Sequence, residues 1–82
     1  MAKTITVYTS NNCSYCVMVK KYLDMKGASY SEINIETNPD RQKEMMELSG
    51  QQRVPVTIVE QEDGARDISV GYNLSALSSA LN

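Results

Sequence analysis

The chain has 82 residues, 41% hydrophobic and 22% charged, with a formal net charge of −2 and no histidine. That length holds one small domain over residues 1–82, and an ordinary balance of residue types with only four glycines and two prolines excludes a disordered or low-complexity chain. The slight acidity offers no basic surface to phosphates, which excludes nucleic acid and anionic membranes as principal partners, and no apolar run approaches the ~20 residues of a membrane span.

The first ten residues, MAKTITVYTS, carry one lysine and an apolar stretch of about four residues, short of the ~7–15 of an export signal. A cytoplasmic location is expected. Thr4 to Thr9, rich in β-branched and aromatic residues, predicts a first strand that Ser10, Asn11 and Asn12 break. Ser14 to Lys26 places Cys16, Val19, Tyr22 and Leu23 at helical spacing, gathers Lys20, Lys21 and Lys26 toward the C-terminal end, and meets Gly27 as a stop. Tyr30 to Ile35 alternates as a second strand, with Ile33 and Ile35 on one face.

In ETNPDRQKEMMELSG, Thr37 or Asn38 offers an N-cap, Pro39 a first turn and Gly50 a C-cap, and Met45, Met46 and Leu48 read as core-facing. VPVTIVE is a strand opened by proline, EDG a hairpin turn, and RDISV the returning strand. YNLSALSSALN repeats Leu74, Leu77, Ala80 and Leu81 at helical spacing behind Asn73. The order βαβαββα predicts an α/β fold. A right-handed parallel βαβ unit is followed by an antiparallel hairpin, giving a mixed four-stranded sheet with helices on its faces.

The chemistry lies in Cys13 and Cys16, separated by Ser14 and Tyr15. A structural zinc site needs four nitrogen or sulfur ligands, and two cysteines without a histidine supply half of one. A permanent disulfide across so short a loop gains little chain entropy and is opposed by a reducing cytosol. A strand, a loop and then a helix whose first turn carries Cys13 set that sulfur beside free backbone N–H groups and the positive end of the helix dipole. Both favour thiolate over thiol. Cys13 is therefore the expected nucleophile. Cys16, one turn inside and more buried, is the expected resolving thiol, and no metal site is expected.

With those residues in place the chain resembles the glutaredoxins along nearly its whole length. VYTSNNCSYC matches the family's strand and CxYC site, SGQQRVPV its TGQxTVP-like segment, and SVGY its C-terminal glycine region. The resemblance implies a thioredoxin-like fold with strand order 2-1-3-4, thiol–disulfide exchange as the activity, and Pro55 in a cis bond facing the cysteines. On residues alone, Pro55 reads as an ordinary strand-opening proline. Given the resemblance, Val54 would turn its backbone outward to pair with an extended substrate, as in strand addition. Tyr15 reads either as a wall for bound peptide or glutathione, or as a residue packed on its own helix.

Ser10 stands where family members often carry lysine, and Gly71, Tyr72 and Asn73 replace a Gly-Gly pair followed by a polar residue. Lys43 and Arg53 are candidates to meet a glutathione carboxylate, the alternative being solvated surface cations. The VGYN ending resembles the NrdH-like redoxins, some of which draw electrons from thioredoxin reductase. The resemblance thus implies a monomer acting on disulfide-containing proteins. Glutathione is its reductant or co-substrate, or thioredoxin reductase its donor, and no tightly bound cofactor is expected. The alternative is an iron–sulfur carrier, with a [2Fe–2S] cluster held between two chains by the first cysteine of each and two glutathiones.

Overall fold

The computed structural model describes residues 3–81; Met1, Ala2 and Asn82, which the expected domain over 1–82 includes, lie outside the described residues. The β-branched and aromatic run Thr4–Thr9 forms β1, and α1 follows over Ser14–Met25. The remaining elements are β2 (Ser31–Asn34), α2 (Arg41–Ser49), β3 (Val56–Glu60), β4 (Arg66–Val70) and α3 (Leu74–Leu81). The sheet order is β2-β1-β3-β4, with β1 parallel to β2 and antiparallel to β3, and β3 antiparallel to β4. This is the thioredoxin-like arrangement that the family resemblance implies. Among the described residues, no helix is long and apolar enough to cross a membrane.

Because successive strand residues face opposite ways, β1 and β3 each feed two cores. Ile5, Val7 and Val59 pack on one face against Val19, Tyr22 and Leu23 of α1 and Leu77 and Ala80 of α3. Tyr8, Val56 and Ile58 pack on the other against Met45 of α2. The buried Tyr8 hydroxyl donates to Glu44, whose carboxylate Arg41 grips at 2.8 and 2.9 Å, so one polar chain pins α2 to β1. Burial, reinforced by the Glu44 contact, pushes the Tyr8 hydroxyl up to about 12.

Three local expectations are corrected. Thr37 and Asn38 do not cap α2; both bond back to the carbonyl of Asn34, whose side chain also takes the N–H groups of Glu36 and Thr37. Residues 35–40 form turns, Asp40 is the N-cap, and Pro39 precedes the helix. Met46, one position and about 100° round the helix from the buried Met45, is 38% exposed, while Leu48 is partly buried in the second core. Pro55 and Val54 lie just before β3 rather than within it. The helix stops are where the glycines predict them, Gly27 at φ 70° and Gly50 at φ 73°, a region other residues enter only with strain.

Leu23 is fully buried between sheet and helices, so Leu23→Ala is expected to cost about 2–5 kcal/mol. Met25, two residues on and 77% exposed, should change stability by less than about 0.5 kcal/mol when replaced by alanine. Urea unfolding of both variants checks the pair.

Candidate active site

α1 returns antiparallel over β1, so its N-terminus sits above the C-terminal end of that strand. The chain makes the turn through Asn12, in the left-handed region at φ 55°, and then extends at Cys13 (φ −112°, ψ 104°). Cys13 is therefore the N-cap of α1, one position before the first-turn placement expected. Its sulfur accepts the N–H of Cys16 at 3.2 Å, as serine or aspartate oxygens do at other helix starts. Its carbonyl accepts the N–H of Val17 at 3.3 Å. Cys13 is half-buried and Cys16 is 2% exposed. The two form a disulfide with 5.2 Å between their Cα atoms.

The loop before Cys13 is held from the β2 side. Asn11 donates its backbone N–H to the Glu36 carboxylate, Asn34 Nδ2 reaches Asn11 Oδ1 at 3.0 Å, and the Ile35 N–H bonds the Thr9 carbonyl at 2.9 Å. On this side a cleft of about 610 Å³ opens beside the disulfide, lined by both cysteines, Lys20, Glu32 and Asn34. Glu32 Oε2 accepts from Thr9 Oγ1 at 2.8 Å and from Lys20 Nζ at 3.1 Å. The Thr9 hydroxyl first, and Lys20 second, hold the Glu32 carboxyl below its usual range against the opposing effect of burial. On the opposite side the Val54–Pro55 bond is cis, and the N–H of Gly71 bonds the Pro55 carbonyl at 2.8 Å. Val54 has no backbone hydrogen-bond partner for its N–H or C=O among the described residues.

A half-buried sulfur capping a helix, its partner one turn inside and a cis-proline corner are joined by a match over residues 5–63 to the glutaredoxin family model. The chain belongs to the glutaredoxin family. It is 41% identical over 54 residues to a glutaredoxin of Neisseria meningitidis, covering 65% of this chain and 64% of that protein. It is also 41% identical over 44 residues to the glutaredoxin-like protein NrdH of Lactococcus lactis, covering 54% of this chain and 61% of the relative. These matches thus span somewhat less than two thirds of each relative's own length. The solved structure of Escherichia coli NrdH-redoxin superposes with a TM-score of 0.73 at 25% identity, covering 92% of each chain. Both the glutaredoxin and NrdH branches are thus represented among the relatives of this glutaredoxin.

Of the residues singled out from the sequence, the fold brings Cys13 and Cys16 into one bond and ties Gly71 to Pro55. Tyr15 lies on α1 between the cysteines and is 58% exposed. Arg53 is exposed beside Val54. Lys43 lies on α2, across the sheet from α1, in a shallow groove with Pro39 and Met46. Tyr72 packs against the first core and lines a groove with Met18, Tyr22 and Met25. Neither Lys43 nor Tyr72 lines the cleft that holds the cysteines. Lys20, Glu32 and Asn34, which do, carry no local motif. The one hint of them in the sequence is a lysine one turn beyond Cys16.

Glu32 has a folded pKa below that of the unfolded chain, so it contributes stability that is full above the ordinary carboxylate range and lost as pH falls through the folded value. Glu32→Gln should therefore flatten the fall in urea midpoint between about pH 5 and pH 3. A midpoint that falls as steeply as in the parent protein would contradict the Thr9–Glu32–Lys20 assignment.

Proposed function

We propose that this glutaredoxin is a single-domain, monomeric, cytoplasmic thiol–disulfide oxidoreductase. It reduces disulfides of partner proteins and mixed disulfides of glutathione through Cys13 and Cys16. The observation that carries this reading is the Cys16 N–H aimed at Cys13 Sγ at 3.2 Å, on a sulfur that is half-buried rather than sealed in the core. A hydrogen bond and a helix N-terminus both favour the thiolate, and a cysteine lowered from ~8.5 to ~6 is about 90% ionised at neutral pH.

In the reduced protein, Cys13 thiolate attacks one sulfur of the substrate disulfide. A Cys13–substrate bond forms, the substrate S–S bond breaks, and the departing sulfur leaves as thiolate and takes a proton. Cys16 then gives up its proton and attacks Cys13 Sγ. This closes the intramolecular disulfide and releases the second substrate sulfur with its electron pair. Two electrons have passed from the cysteine pair to the substrate, and glutathione or thioredoxin reductase returns them. The backbone of Val54, unpaired among the described residues, and the exposed ring of Tyr15 support a reading in which an extended chain docks beside the pair, with Pro55 and Gly71 holding the corner and Arg53 the candidate for a glutathione carboxylate.

The two sulfurs are distinguished by what each variant leaves behind. Cys13→Ser should lose all disulfide-reducing activity, because a hydroxyl is not ionised near neutral pH. Cys16→Ser should accumulate covalent, reductant-sensitive complexes with protein substrates on a non-reducing gel. It should still turn over glutathionylated substrates, where external glutathione resolves the adduct. Full disulfide reduction by both variants would remove the cysteines from catalysis, and trapping by Cys13→Ser alone would reverse their roles.

A further inference from the structure

Thr57 is fully buried in β3, and its hydroxyl finds no hydrogen-bond partner among the described residues. A buried polar group in that state costs about 1–3 kcal/mol. Val56, Ile58 and Val59, the other buried residues of the strand, carry no such cost, so packing alone does not account for a hydroxyl here.

Its position does. Thr57 is paired with Val7 of β1 and Ser69 of β4, and paired residues share a face of the sheet. That face is the one covered by α1 and α3, where Val7 packs with Val19 and Leu23. Because α1 runs antiparallel to β1, Cys16, one turn before Val19, lies toward the end of the sheet where β3 begins. Pro55, two residues before Thr57, lies at that same end. In the disulfide state the sulfur of Cys16 is spent on Cys13. Reduction turns it into a buried thiol, and the resolving step into a buried thiolate, which is costly without a donor.

We infer that Thr57 is a positioning residue for the resolving thiol: its hydroxyl donates to Cys16 Sγ in the reduced protein and is left without a partner when the disulfide closes. The inference rests on the dithiol reading of Cys13 and Cys16. The bonding in the resolving step is unchanged by it. Cys16 sulfur bonds to Cys13 sulfur, the Cys13–substrate bond breaks, the substrate sulfur leaves with the electron pair and is protonated, and the threonine keeps its own proton. The hydroxyl holds the reduced state up relative to the oxidised one, which makes the pair a better oxidant than the same fold with valine.

The test is the dithiol–disulfide equilibrium of the full chain in dithiothreitol buffers, read by thiol alkylation and mass, for the parent protein, Thr57→Val and Thr57→Ser. Thr57→Val keeps the shape and removes the donor. It should shift the equilibrium toward the disulfide about fivefold, the worth of one hydrogen bond of ~1 kcal/mol. Its oxidised form should be at least as resistant to urea as the parent's. Thr57→Ser should stay within about twofold of the parent, since it keeps the hydroxyl. A merely structural threonine would move both redox states together, so a parent-like equilibrium in Thr57→Val overturns the inference, as does a Thr57→Ser shift as large as that of valine. If the parent pair does not exchange with dithiothreitol at all, the dithiol reading falls and this inference with it.

Discussion

The N–H of Cys16 points at the sulfur of Cys13 across 3.2 Å, and the elements around it serve to keep that sulfur at the mouth of a helix rather than inside it. β1 lies at the centre of the sheet between β2 and β3, so its C-terminal end is fixed from both sides. α1 is clamped above it by Val19, Tyr22 and Leu23. The loop between them has little apolar surface of its own and is held by hydrogen bonds from Asn34, Ile35 and Glu36. A serine or aspartate in the same place would cap the helix and nothing more. A cysteine there is a cap whose thiolate the same interaction would stabilise, as the proposed role of Cys13 requires.

The surroundings of the pair are unequal. Toward β2 the cleft is charged and polar, with Lys20 and Glu32 neutralising each other beside the sulfurs. Toward β3 the corner is apolar, with Pro55 and with Val54, whose backbone N–H and C=O have no backbone partner among the described residues. The division follows from the sheet order, which puts a short, exposed edge strand on one flank of β1 and the fully buried start of β3 on the other.

Much of this was legible in the sequence because the signals are local. The β-branched run before the cysteines, the helical spacing after them and the glycines at 27 and 50 each act within a few residues, and the structure follows them closely. Pairings distant in sequence were not legible. Glu32 lines the cleft of the cysteines only because β2 lies parallel to β1, which sets Val7 beside Glu32 and brings Thr9 within reach of its carboxylate. Thr37 and Asn38 look like helix caps, yet Asn34 engages them in a turn before the helix can begin. Lys43 is separated from the cysteines by the sheet itself, a matter of which face α2 covers. The hydroxyl of Thr57, without a partner among the described residues, is buried only once three strands and two helices have closed around it.

The claim beneath the whole account is that the helix start lowers the pKa of Cys13 and leaves Cys16 alone. Thiolate absorbance of the reduced protein, followed against pH and repeated on Cys16→Ser to assign the sulfur, tests it directly. The account predicts one ionisation well below the free-cysteine value of ~8.5, retained in Cys16→Ser, and a second at or above that value. Two thiols titrating together near ~8.5 would contradict it.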